Sequence, residues 1–187
     1  MRHYSKQGLW SLFLLCAFPL HAWTLILAFR DFSWVAERTN SWDAVGVVAY
    51  GLLFALVESV VISMLATALG YLISRVWAED RRIALLSTLV LVASLWVMAE
   101  YLFFMLGVKL SGQTIDFLVS LNHPLRFLYA ISLVCVVITV ILPTYLILRS
   151  DRFFKAIRSV FERLSLLTLF YLFFDFIGLV LVLVRNI

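Results

Sequence analysis

The sequence predicts an all-α membrane protein: a single polytopic domain, residues 1–187, with five transmembrane helices and one amphipathic helix on the cytoplasmic face. Three observations lead to this fold class. The chain is 64% hydrophobic and only 14% charged, whereas soluble domains carry about a quarter charged residues. Its apolar residues form blocks of the roughly 20 residues that a helix needs to cross a bilayer. Its Lys and Arg residues lie mainly between these blocks and unequally on the two sides.

Five apolar blocks are long enough to be transmembrane helices, and none alternates apolar and polar residues as a β-barrel strand does. They cover residues 9–29, 44–76, 83–108, 125–148 and 164–184. The first block follows Arg2 and Lys6, but it exceeds a signal-peptide core and no small-x-small cleavage site follows it. We therefore expect it to be retained as a span. Cys16 and Cys135 fall within spans, where they are expected to be buried apolar residues rather than a disulfide.

The distribution of basic residues predicts the orientation in a cell membrane. Ten of the fifteen Lys and Arg residues lie on the side of the N-terminus. Because short cytoplasmic loops carry an excess of Lys and Arg, the N-terminus is expected in the cytoplasm and the C-terminus outside. The external loop at 109–124 is apolar enough for a short interfacial helix, with a re-entrant segment as the alternative. Asn122 and Pro124 are expected to be the cap and first-turn proline of the fourth span.

Residues 149–164 show the clearest helical periodicity. On a helix their apolar side chains fall on one face. The opposite face carries the basic residues Arg149, Arg152, Lys155, Arg158 and Arg163. This pattern predicts an amphipathic helix, about residues 149–163, on the anionic headgroups of the inner leaflet. Docking of a cytosolic partner or of one specific headgroup is the alternative. No nucleic-acid-binding motif occurs, so the sequence pI of about 9.3 is attributed to membrane topology.

Four ionisable side chains lie inside the predicted spans. They are His21, Glu58, Glu100 and Asp175. A charged side chain at the bilayer centre costs about 2.5 kcal/mol or more and rarely faces lipid. No Lys or Arg lies within a span interior to pair with the acids. We interpret the four residues as a candidate intramembrane polar site.

Small and hydroxyl residues indicate which way these helices face, because such residues mark helix contacts in lipid. In the second span they recur every fourth residue: Ala55, Ser59, Ser63 and Thr67, continued by Gly70 and Ser74. Glu58 borders this ridge and is therefore expected to face protein. The fifth and fourth spans carry similar stripes: Thr168, Tyr171, Asp175 and Gly178, and Ser132, Cys135, Thr139 and Pro143. The acids are accordingly expected to share one buried polar interior.

The role of such an interior has two interpretations. A buried carboxyl can stay protonated and fasten helices together by donating a hydrogen bond, or it can carry a proton or bind a ligand. A metal site built from the four residues lacks the paired i, i+3 or i+4 ligands of di-iron bundles, so neither metal nor cofactor is expected. No GxSxG, HExxH or Gly-rich phosphate loop is present, which favours a non-enzymatic protein without deciding the question.

Three functional hypotheses remain. The first is a non-enzymatic membrane subunit or accessory protein that acts through helix packing or lipid contact. The second is a small transporter or proton-relay protein that uses the intramembrane acids. The third is the membrane anchor or a component of an enzyme acting on lipid-linked substrates at the outer leaflet. The expected partners are membrane lipids, another membrane protein or a second copy of the chain, and not nucleic acid.

Overall fold

The computed structural model of the chain describes residues 4–72, 76–104, 107 and 109–187. Within these residues all regular secondary structure is helical, which confirms the all-α class. The helices are α1 (Lys6–Arg38), α2 (Ser41–Gly70), α3 (Glu79–Phe104), α4 (Gly112–Ser120), α5 (Pro124–Val136), a π-helix (Val137–Ile141), α6 (Leu142–Arg149) and α7 (Asp151–Asn186). Arg2 and Ser74 lie outside the described residues, as do residues 73 and 75 of the second predicted span and residues 105, 106 and 108 of the third.

Five helical segments are long and apolar enough to cross a membrane, as expected for a multi-pass membrane protein. They are α1, α2, α3, the run from α5 through the π-helix to α6, and α7. The loop at 109–124 contains the short helix α4, which has no buried residue. At nine residues it is about 14 Å long, too short to cross the roughly 30 Å hydrocarbon layer.

The amphipathic segment is helical but is not a separate helix. Residues 151–164 form the first part of α7, which has 36 residues and continues through the fifth span. Its length is about 54 Å, well beyond the thickness of the hydrocarbon layer. No Gly or Pro occurs between residues 151 and 177, so nothing in this sequence ends the helix before the span begins. The boundary expected at residue 164 is therefore absent.

Several helices begin where the sequence offers a capping side chain. Ser or Asn side chains accept the backbone N–H three residues later at four helix starts: Ser5, Asn40, Ser111 and Ser150. Pro124 opens α5 as expected, but the cap is His123 and makes no side-chain cap bond. The assignment of Asn122 as cap was wrong by one residue. The reason is that the residue before a proline is excluded from helical geometry and so becomes the boundary itself.

α1 is the central helix and packs against α2, α3 and α7. Small residues on α2 permit the close approach, and the buried ones include Ala49, Ala55 and Ser59. The main apolar cluster joins α1, α2 and α3: Tyr4, Leu12, Cys16, Ala66, Ile83 and Leu86. Cys16 is buried as expected, Cys135 is only half-buried, and both cysteines are free thiols.

Side-chain contacts gather the helix termini into two ends of the bundle. At the end that contains residue 4, called here the N-terminal end, Ser5 N and Oγ each donate to Glu79 Oε1 over 2.7 Å. At the same end, Arg81 donates to the Leu148 carbonyl over 2.7 Å and pairs with Asp151. At the opposite, C-terminal end, Arg185 donates to the Trp42 carbonyl over 2.8 Å and pairs with Asp43.

The fourth span is only partly attached to this bundle. α5 and the π-helix contain no buried residue, whereas Ile147 of α6 is fully buried. Trp96 Nε1 donates to Thr139 Oγ1 over 3.1 Å, at the π-helix. Pro143 has no N–H to bond the Thr139 carbonyl, and such a gap in the ladder accompanies a π-type turn. The first half of this span is therefore exposed over most of its surface.

Candidate functional site

The buried polar centre of the molecule is a pair formed by His21 on α1 and Asp175 on α7. The His21 ring is 0% exposed and Asp175 is 3% exposed. His21 Nε2 lies 2.9 Å from Asp175 Oδ2, and His21 Nδ1 lies 2.8 Å from the Ala17 carbonyl. The pair brings together two of the four residues that the sequence singled out.

The two hydrogen bonds of His21 define the charge of the pair. Because the Ala17 carbonyl can only accept, Nδ1 carries a hydrogen and donates it. One further proton lies between Nε2 and Oδ2. If it resides on His21 the pair is imidazolium and carboxylate, and if it resides on Asp175 both groups are neutral. The pair has zero net charge in either form, which lowers the cost of burying it.

α1 and α7 run parallel in a regular register around this pair. The hydroxyl of Thr168 is within donor distance of two carbonyls. Its Oγ1 lies 3.0 Å from the Leu14 carbonyl across the interface and 2.9 Å from the Leu164 carbonyl within α7. Both cross-helix contacts join residues that are 154 positions apart, and they are separated by seven residues, or about two helical turns. We call these contacts the α1–α7 seam.

Two aromatic side chains lie beside the pair, Tyr171 from α7 and Phe18 from α1. The Tyr171 ring stacks on the His21 ring with centroids 6.2 Å apart and planes 9° apart. Phe18 stacks on the Tyr171 ring, with centroids 6.1 Å apart. Tyr171 therefore covers one face of the imidazole with an aromatic ring.

Asp175 has one oxygen that the seam does not use. Oδ1 is buried and has no hydrogen-bond partner among the described residues. Buried polar atoms without a partner are uncommon, since each costs about 1–3 kcal/mol of desolvation. Oδ1 is thus the one atom of the pair that remains open to a proton or a water molecule.

Glu58 lies elsewhere, on the outer face of α2. It is exposed and stands among apolar side chains that are themselves exposed: Phe54, Val57, Val61 and Leu65. Glu58 therefore does not join the buried interior that was expected to enclose it within this chain. Successive helical residues are rotated by 100°, so Glu58 points away from the interface that buries its neighbour Ser59. We call the surface formed by Phe54, Val57, Glu58, Val61 and Leu65 the outer α2 face.

The depth of Glu58 follows from the antiparallel packing of α1 and α2. Thr24 packs against Gly51, and Tyr4 packs against Gly70. Glu58 lies seven residues after Gly51 on α2. Because the two helices are antiparallel, it is level with Ala17, which lies seven residues before Thr24 on α1. Glu58 therefore lies at mid-depth along the bundle, about one helical turn from the level of His21, but on the outer surface of α2.

Glu100 is exposed as well and belongs neither to the α1–α7 seam nor to the outer α2 face. It lies one turn before the last residue of α3, Phe104, towards the C-terminal end of the bundle. Its neighbour Tyr101 packs edge-on against Trp23, with ring centroids 5.5 Å apart. The single buried interior expected for all four residues is thus restricted to His21 and Asp175. Over the described part of the chain, no three His, Cys, Asp or Glu residues come together as metal ligands.

The basic residues of the amphipathic segment lie at the N-terminal end of the bundle. Arg158 pairs with Asp80 of α3 at 2.9 Å and with Glu162 at 3.2 Å. The other four, Arg149, Arg152, Lys155 and Arg163, are exposed. The pairing of α7 with Asp80 was missed because it joins residues far apart in the sequence, and no local pattern signals it.

The fold and these sites define a class of protein: an all-helical chain with five apolar helices of membrane-spanning length and a buried His–Asp pair. No family model, curated protein or solved structure matches the chain.

Proposed function

We propose that the chain is a non-enzymatic subunit of a membrane assembly that binds a transmembrane helix of another protein through the outer α2 face. The observation that carries the proposal is Glu58, an acid at mid-depth on the surface of an apolar bundle. A charged acid at the bilayer centre costs about 2.5–3.5 kcal/mol, and such residues almost always face protein or a water-filled cavity. An occupant of this face therefore relieves the exposure of Glu58 to lipid.

The chemistry of the outer α2 face limits the occupant. Glu58 is surrounded by apolar side chains, so the partner helix is apolar apart from a group that complements a carboxyl. A Lys or Arg, or a side chain with an amide or hydroxyl, fulfils that requirement. A symmetric dimer through the same face would bring Glu58 against Glu58 of a second copy, and like acids in contact repel. We therefore favour a different protein as partner.

The orientation completes the proposal. The helix termini at the N-terminal end of the bundle carry most of the basic residues, including Arg81, Arg82 and the exposed part of the amphipathic segment. We place this end in the cytoplasm of a cell membrane, with the basic side chains on the anionic inner leaflet and the C-terminus outside. Reporter fusions at residues 40, 80, 115, 155 and 187 test the orientation. A cytoplasmic signal from the fusion at 115 would contradict it.

Site-specific crosslinking tests the partner. A photo-crosslinking residue at Val61, on the outer α2 face, is expected to capture one membrane protein in native membranes. The same residue at Val97, an exposed valine on α3, provides the control, since Val97 is 65% exposed and Val61 50%. Glu58→Leu is expected to lower the Val61 crosslink by about fivefold to tenfold, the range for a lost polar contact between helices in lipid. Glu100→Leu should leave it unchanged.

Two results would contradict the partner hypothesis. One is a Val61 crosslink that contains only lipid, or only a second copy of this chain. The other is a captured protein whose yield does not depend on Glu58. Copurification in mild detergent provides an independent measure, since the proposal requires the partner in stoichiometric amount.

A proton-relay function is the second candidate, and the free Oδ1 of Asp175 favours it. A relay requires a group that gains and loses a proton, whereas a fastening acid needs only its hydrogen bond. Asp175→Asn keeps an amide that can donate to His21 Nε2 and so should remain stable in detergent. Loss of transport or of a growth phenotype at unchanged stability would support the relay. Full activity of this variant would exclude it.

A further inference from the structure

The N-terminal end of the bundle contains a cleft of about 530 Å³ between α1, α3 and α7. The cleft opens where the α1–α7 seam ends, since Leu14 belongs to both. Ser11 and Ser165 are also 154 positions apart and lie closer to the N-terminal end than Leu14. They line the cleft instead of contacting each other. The two helices therefore diverge here and leave a space within the roughly 300–1,000 Å³ of ligand sites in proteins.

The lining of the cleft is amphiphilic. Its inner surface is formed by large apolar side chains, including Leu14, Leu15, Ile83 and Phe161, with Trp10 beside them. Its polar side chains come from the first turns of α1 and from Asp80, Arg158 and Glu162. A lining of this kind fits a molecule with one polar end and one apolar end. Because the cleft lies at one end of the apolar helices, such a molecule would enter it from the headgroup region of the bilayer.

The charged side chains at the cleft determine which polar headgroup it can bind. Arg158 is held between Asp80 at 2.9 Å and Glu162 at 3.2 Å, so two carboxylates share one guanidinium. The group carries a net charge of about −1, and both carboxylates are more than half exposed, at 62% and 67%. A free anion would meet a guanidinium that is already neutralised. An ammonium group would find carboxylate oxygens with unused acceptor sites.

We propose that this cleft binds a phospholipid with a primary-amine headgroup, of the phosphatidylethanolamine type. The ammonium group donates to Asp80 and Glu162, and an acyl chain runs from Phe161 past Trp10 to Leu14 at the deep end of the cleft. The basic residues on the other side of α7 attract anionic lipids without this selectivity. The cleft would therefore be an amine-selective site at an otherwise basic end of the molecule. The proposal does not depend on the partner hypothesis for the outer α2 face.

Lipid competition on the purified full-length protein tests the site. Native mass spectrometry would count retained lipid after equilibration in detergent with phosphatidylethanolamine, phosphatidylcholine or phosphatidylglycerol. The expected order is ethanolamine, then choline, then glycerol, because the trimethylated choline headgroup keeps the charge but has no N–H to donate. Glu162→Gln should lower the preference for ethanolamine over glycerol by about fivefold, the factor for a salt bridge worth about 1 kcal/mol.

A matched control and a filling variant complete the design. Glu37→Gln removes an exposed carboxylate from the opposite end of α1 and should leave the preference unchanged. Ser165→Trp fills the cleft and should abolish retention of ethanolamine lipid. Circular dichroism verifies that each variant keeps its helices. Equal binding of all three lipids, a preference for phosphatidylglycerol, or no effect of Glu162→Gln would overturn the proposal.

Discussion

The α1–α7 seam and the outer α2 face each contain an acid near the middle of the bundle, and the two acids have opposite surroundings. Asp175 is 3% exposed and has His21 at 2.9 Å. Glu58 is exposed, and no residue of the described chain makes an ion pair or hydrogen bond with it. The first acid has a partner within the chain for one of its two oxygens, so the seam supplies most of what it needs. Glu58 has no polar partner among the described residues, so the outer α2 face lacks the group that would complement its acid.

This difference assigns different roles to residues that look alike in the sequence. An acid with an internal partner contributes to folding, because its removal leaves the partner buried and uncompensated. An acid without one contributes little to the isolated chain and can act only when another molecule covers it. The predictions below test this contrast by the stability of the purified protein.

The largest expected effect comes from breaking the seam at its pair. His21→Leu leaves Asp175 buried without a partner and should lower the free energy of unfolding by about 3–5 kcal/mol. The double variant His21→Leu with Asp175→Leu should recover most of this loss, because apolar side chains can replace a buried pair at little cost. Unfolding in detergent, followed by circular dichroism, measures both. A double variant as unstable as the single one would show that the pair is not the source of the effect.

An intermediate effect is expected at the other contact of the seam. Thr168→Val removes the hydroxyl that donates to the Leu14 carbonyl and should cost about 1 kcal/mol, the net value of one hydrogen bond. Thr67→Val is the matched control, because Thr67 Oγ1 donates only to Ser63 within its own helix, over 2.7 Å. Its replacement should cost less. Equal losses for the two variants would indicate that the cross-helix bond has no special weight.

The helices were predictable from the sequence because their determinants are local. Apolar length predicts the spans, but α1 and α2 begin three residues before the apolar blocks, at the caps Ser5 and Asn40, which the predicted bounds missed. The merging of residues 151–164 with the last span was missed although its cause is local too, since no Gly or Pro separates them. Amphipathic periodicity indicates which face is apolar, and does not indicate where a helix ends.

The partners of the candidate site residues were not predictable, because they depend on register between distant helices. The contact between His21 and Asp175 requires α1 and α7 to align with an offset of 154 residues, which no single helix encodes. The direction of Glu58 was misjudged for a related reason. Ala55 and Ser59 define a buried stripe, but spacing alone does not fix how wide that stripe is. Glu58 lies beyond its edge.

The smallest expected effect on stability is at Glu58, and it separates the two regions most clearly. Glu58→Leu replaces an exposed acid by an apolar residue on an apolar face, so the detergent-solubilised chain should change by no more than about 0.5 kcal/mol. In native membranes the same variant should capture about fivefold to tenfold less of the partner than wild type does. A loss of several kcal/mol would mean that Glu58 has a structural partner within the chain, which would place it with the seam. Unchanged stability together with unchanged partner capture would mean that lipid or detergent covers the outer α2 face, and the membrane-subunit proposal would then be rejected.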